Sequence, residues 1–131
     1  MSRKIYTGEG VSVSGPYSHA VDAGNTIFFS GQVAKNAPDY QEVTGSIEEQ
    51  TKQCFKNLEQ VLKSANVTFD DVVKVNVYLT TMKNFQGMNA VYETIFSAPY
   101  PARTCVAVKE LPLEADIEIE MVVYQSGEKG V

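Results

Sequence analysis

Apolar and polar residues alternate over residues 72–80 (VVKVNVYLT). Val73, Val75, Val77 and Leu79 fall on one face and Lys74, Asn76 and Tyr78 on the other. A period of two predicts a strand with one dry face. The alternation returns in residues 116–124, with Ile117, Ile119, Met121 and Val123 on one side and Glu118, Glu120, Val122 and Tyr124 on the other. A short strand is expected at Ile27–Ser30, between Gly24-Asn25 and Gly31, and another near Arg103–Lys109. Between these the period becomes helical: Ile47, Cys54, Phe55, Leu58, Val61, Leu62 and Ala65 form one apolar stripe. Ser46-Ile-Glu-Glu49 opens that helix as a capping box, with acids at its positive end. A second helix is expected over roughly residues 84–96, with Phe85, Met88, Tyr92, Ile95 and Phe96 inward, stopped by Pro99 and Pro101. Residues 1–24 carry weak strand signals broken by glycines, residues 33–45 read as a loop or hairpin, and the polar tail 125–131 is expected to fray.

The order of a strand-rich start, helix, strand, helix, strand, strand predicts an α+β fold: one mixed sheet with both helices on a single face. The opposite face is then expected to carry Arg103, Cys105, Ala107, Glu118, Val122 and Tyr124. That set is too apolar to stay wet, and a second subunit is the economical cover, which places Arg103 near a subunit boundary. The 131 residues show no repeat, linker or low-complexity stretch, so a single domain with its core over about residues 3–124 is expected.

Composition narrows the function. The formal charge of −5 and pI near 4.8, with lysines scattered along the chain, give no positive stripe for a nucleic-acid backbone. No apolar run exceeds four residues, and Arg3-Lys4 is not followed by an apolar segment, so neither a membrane span nor a secretory signal is expected. Cys54 and Cys105 make neither a metal-type spacing nor a disulfide framework, which fits a reducing cytoplasm.

Arg103, one of two arginines, stands as the sole charge in Thr94–Val108 (TIFSAPYPARTCVAV). A cation in a half-buried strand must find a carboxylate. Either Glu118 or Glu120 of the IEIE stretch meets it, or a ligand does. His19 is the only histidine, and a Ser/His/Asp or Cys/His nucleophile system would have to use it; a structural role is the simpler expectation. One histidine and scattered acids give no metal cluster, and Gly8, Gly10 and Gly15 are too far apart for a phosphate loop. Cys54 belongs to the apolar stripe, while Cys105 beside Arg103 is either an activated thiol or packed core. Tyr17 is a turn aromatic or a pocket wall.

Six segments, GPYSHAV (15–21), FSGQV (29–33), VVKVNVYLTTM (72–82), NAVYETIF (89–96), PARTCVAV (101–108) and IEIE (117–120), together resemble the reactive intermediate deaminase (RidA, YjgF) family over about residues 3–124. The resemblance implies a chorismate-mutase-like α+β fold and a homotrimer with clefts between subunits. It also implies cofactor- and metal-free hydrolysis of enamines and imines such as 2-aminoacrylate and 2-aminocrotonate to 2-keto acids and ammonia. In that family's terms Arg103 binds the substrate carboxylate and Glu118 orients water. Tyr17, Ser30 and Asn89 line the pocket, and the backbone at Cys105 helps hold the substrate. The chemistry suits the residues. Arginine grips a carboxylate through two parallel charge-assisted bonds worth about 1.5–3 kcal/mol each, and an imine carbon is electrophilic enough to need only a positioned water and a proton relay. A non-catalytic protein that binds keto acids or amino acids is the alternative.

Overall fold

The computed structural model describes residues 2–35 and 43–126. Six strands, β1 (Lys4–Tyr6), β2 (Ala20–Asp22), β3 (Thr26–Gln32), β4 (Val72–Leu79), β5 (Ala102–Ala107) and β6 (Ile117–Tyr124), form one sheet in the order β1-β2-β3-β6-β4-β5. Every pairing is antiparallel except β4 with β5. A parallel pair needs a crossover, and helix α2 (Phe85–Ile95) supplies it. Helix α1 (Ile47–Ser64) follows β3. The expected α+β architecture with two helices on one side of a mixed sheet is the one found.

The capping box forms as its spacing requires. Ser46 Oγ accepts from the Glu49 N–H at 3.1 Å, and Glu49 Oε1 accepts from the Ser46 N–H at 3.3 Å. The α1 stripe of Cys54, Phe55, Leu58, Val61 and Leu62 is buried against Ile27, Phe29, Val75, Val77, Leu79, Ile117, Ile119, Met121 and Val123 in one core. Two buried polar side chains of α1 tie it to the sheet and the loops. Gln50 Nε2 donates to Asp116 Oδ2 at 2.8 Å, and Asn57 Nδ2 donates to the Val33 and Lys35 carbonyls at 3.3 and 2.8 Å.

Three expectations change. Val73 does not share the dry face of β4: the register slips between Val72 and Lys74, so Val72 is buried and Val73 bulges out, 49% exposed. Gln125 is not frayed: its N–H donates to the Asn25 carbonyl at 2.9 Å and its side chain to Asp22 and Gly24. The rest of the expected tail, from residue 127, and most of the expected 33–45 loop, residues 36–42, lie outside the described residues.

The third change bears on function. Arg103, Cys105 and Ala107 are not on the helix-free face. In the parallel register they stand opposite Val75, Val77 and Leu79, all fully buried on the helix side. Glu118 stands opposite Tyr78 and Glu120 opposite Asn76, so both glutamates are on the helix-free face as expected, with Val122 and Tyr124. That face also exposes Ile5, Phe28 and Val106, Phe28 at 53%.

Candidate functional site

Arg103 lies on the edge strand β5 where α2 covers it. Its Nη1 donates to Asn89 Oδ1 at 2.6 Å, and its guanidinium carbon sits 4.6 Å from the Tyr92 ring centre and 5.5 Å from that of Phe85. Aromatic faces and a neutral amide hold the cation in place without neutralising it. Among the described residues no carboxylate comes within 4.0 Å of it, the ion pairs being Lys4–Asp22 and Lys63–Glu59. The internal ion pair with Glu118 or Glu120 is therefore absent, because the sheet separates the partners. Arg103, Asn89, Tyr92, Glu93, Tyr100 and Pro101 wall an open cavity of about 380 Å³.

Glu118 faces a second cavity, of about 340 Å³, together with Tyr17, Ser30, Lys35 and Leu113. A bulge in β3 between Phe29 and Gln32 makes the room. Ser30 turns its Oγ to the Ser18 carbonyl at 2.6 Å, and Gly31 lets the carboxylate lie on bare backbone. A Cβ at Gly31 would stand 2.7 Å from Glu118 Oε2. Leu113 holds a left-handed backbone (φ 58°), a conformation that costs about 1 kcal/mol or more for a residue with a Cβ. Burial, and then the negative charge of Glu120, push the Glu118 carboxyl above its ordinary value. Glu120 is engaged differently. Tyr78 Oη donates to it at 2.5 Å and Asn76 Nδ2 at 3.0 Å, and that hydrogen bond, with burial, pushes the Tyr78 phenol up to about 12.

Five of the six candidate residues thus fall into two separated groups: Arg103 and Asn89 at one cavity, Tyr17, Ser30 and Glu118 at the other. Cys105 follows Arg103 by parity and walls neither. The family model described as Endoribonuclease L-PSP, the RidA/YjgF family, matches residues 7–125. The chain belongs to the RidA/YjgF family. Among curated relatives, the 2-iminobutanoate/2-iminopropanoate deaminase of Dermatophagoides farinae is 41% identical over 109 residues, 83% of this chain and 85% of that protein. Protein MMF1, mitochondrial, of Saccharomyces cerevisiae is 43% identical over 109 residues, 83% and 74% of the two chains. Among solved structures, E. coli TdcF with bound serine superposes with a TM-score of 0.86 at 30% identity, covering 94% of this chain and 99% of that one.

The remaining candidates resolve within this RidA-family chain. His19 is buried and structural. Its Nδ1 accepts from the Gly8 N–H at 3.0 Å, which leaves the proton on Nε2, 2.9 Å from the Ser12 carbonyl. The Cys54 thiol is buried and pushed up by that burial. Burial also raises the Cys105 thiol, and the nearby Arg103 charge only partly opposes this. An activated thiolate is not what this environment makes. Whatever reaction these cavities carry, Cys105→Ser should keep its rate within about tenfold of wild type; a loss of several orders of magnitude in a folded variant, in the same rate assay, would reveal thiol chemistry. Gly31 and Lys35 were not singled out from the sequence. Gly31 had a signal, a glycine beside a strand serine in FSGQV, whereas Lys35 lay in a polar stretch with no periodicity.

Proposed function

We propose that the chain hydrolyses 2-imino acids, the tautomers of enamines such as 2-aminoacrylate and 2-aminocrotonate, to 2-keto acids and ammonia, in clefts formed between copies in a homotrimer. The observation that carries this reading is the split itself. An arginine with no carboxylate partner among the described residues faces one open cavity, and a carboxylate with a raised pKa faces another, on opposite sides of one sheet. Apposing the Arg103 side of one copy to the Glu118 side of the next completes the set. It also covers the face that exposes Ile5, Phe28 and Val106. The relative named as an imine deaminase and the serine-bound TdcF support a small carboxylate ligand.

In this reading Arg103, held by Asn89, grips the substrate carboxylate in two-point contact. Glu118 takes a proton from water as the water oxygen bonds to the imine carbon, and hands that proton to the nitrogen, which gives the neutral carbinolamine and frees the carboxylate. The carbinolamine then collapses: Glu118 takes its O–H proton and passes it to the nitrogen as the carbonyl forms, the C–N bond breaks and ammonia leaves. A carboxyl raised by burial is a stronger base toward water than an ordinary carboxylate, which suits the first half of this relay. The surplus of acids over bases, 16 against 11, gives no support to RNA as the substrate despite the name of the family model. Two free cysteines, one of them in the core, suit a reducing compartment such as the cytoplasm; no described helix is long and apolar enough to cross a membrane.

The test is complementation. Arg103→Ala and Glu118→Gln, each inactive alone, should regain activity when unfolded and refolded together, because roughly a quarter of clefts in a random mixture carry both native residues. Activity is read as keto-acid release when a dehydratase acting on serine or threonine supplies the imine. Sedimentation of the wild type as a stable monomer, or no recovery in the mixture, would remove the shared cleft. Binding of keto acids without acceleration would make the protein a binder and not an enzyme.

A further inference from the structure

One buried charge has no part in the reaction above. Lys35 is 5% exposed, yet its ammonium faces the Glu118 cavity. The segment is held from behind, since Asn57 of α1 donates to the Lys35 carbonyl at 2.8 Å. Lys35 Nζ donates to Tyr17 Oη at 3.2 Å and lies 5.9 Å from that ring's centre. Burial alone would raise the Tyr17 phenol, but the hydrogen bonds from Lys35 and Ser14 and the ammonium charge bring it below its ordinary value. Among the described residues no carboxylate lies within 4.0 Å of Nζ. A phenol oxygen occupies one of three ammonium donors, and among the described residues no carboxylate offsets the charge. A buried ammonium in that condition gains from any carboxylate that reaches it.

We propose that Lys35 is a second carboxylate subsite, and that the favoured substrates are 2-imino acids with an acidic side chain, of the kind formed from aspartate or glutamate. The proposal rests on the imine-hydrolysis reading and names its substrate class. Arg103 takes the carboxylate next to the imine carbon and Glu118 attends that carbon. The substrate side chain then extends along the Tyr17 wall to Lys35. A cavity of about 340 Å³ accommodates a four- or five-carbon dicarboxylate. A compact ammonium on a flexible stem tolerates either chain length, where a planar fork would select one.

The experiment compares kcat/KM for 2-iminosuccinate and 2-iminobutyrate, each generated from its amino acid by a flavoprotein amino-acid oxidase. The wild type should favour the dicarboxylate. Lys35→Met should lower the ratio of the two by at least about tenfold, and Lys35→Arg should restore much of it. Tyr17→Phe removes the phenol but leaves the ammonium, so it should not lower the ratio. A wild type with no preference for the dicarboxylate overturns the subsite. So does a ratio untouched by Lys35→Met, or one lowered equally by Tyr17→Phe, which would make Lys35 a support for Tyr17 only. If no imine is hydrolysed at all, the enzymatic reading fails, and the subsite is judged by calorimetric titration with 2-oxoglutarate and 2-oxobutyrate. Tighter 2-oxoglutarate binding that Lys35→Met abolishes upholds it, and equal affinities overturn it.

Discussion

Arg103→Ala should stay folded and assembled, melt close to the wild-type temperature, and lose about 10²–10⁴ in kcat/KM for 2-imino acids. The magnitude follows from two charge-assisted bonds to a carboxylate at about 1.5–3 kcal/mol each, converted at 1.4 kcal/mol per tenfold. Stability should hold because the side chain leaves no charge stranded: its partners are an amide oxygen and two aromatic faces. Had Arg103 paired with a buried glutamate of its own sheet, removing it would cost about 3–5 kcal/mol. Arg103→Lys should recover little, since an ammonium cannot make the planar contact. Melting temperature, sedimentation and the coupled rate assay on the two variants decide the matter. Unfolding or dissociation would mark Arg103 as structural, and full activity in a folded assembly would end its proposed role.

Glu118→Gln should lower kcat by about 10²–10⁴ while keto-acid affinity stays within a few-fold, because the amide keeps the shape and loses the proton relay. Glu120→Gln should do much less. Glu120 is engaged by Tyr78 and Asn76, both on its Oε1, and acts on Glu118 through its charge. Equal losses in the two variants would overturn the assignment. Stability should move the other way. The Glu118 carboxyl is raised in the folded chain by burial and by Glu120, so between its unfolded and folded values the folded form holds a proton that the unfolded form lacks. Stability therefore falls as pH rises through that window and stays lower above it. Glu118→Gln removes this cost. The variant should melt at or above the wild-type temperature at pH 7, and the difference should shrink toward the ordinary glutamate value, about pH 4.3. Melting curves at both pH values check it.

What could be read from the chain was what neighbouring residues settle among themselves. The α1 stripe and its capping box located that helix at Ile47–Ser64, with Ala65, the last residue of the stripe, as its C-cap, because a 3.6-residue period and a serine–glutamate pair are local facts. Alternation in IEIEMVVY put Glu118 and Glu120 together on the open face, as the β4–β6 register bears out. The PARTCVAV and IEIE motifs were enough to recognise the family. Parity also linked Arg103 to Cys105, but it is silent on which side is inner. ARTCVAV offers small or apolar residues on both sides, so only the parallel register against Val75 and Val77 placed Arg103 under α2. That register, and nothing in the sequence, divides the candidate residues between two faces. The bulges that expose Val73 and clear space beside Gly31 likewise depend on a neighbouring strand. Lys35 joins Glu118 only because α1 holds its backbone 22 residues away in sequence, and no local pattern records such a contact. Periodicity is set by bonds along the chain; faces, cavities and the company a charge keeps are set by which strands and helices end up side by side.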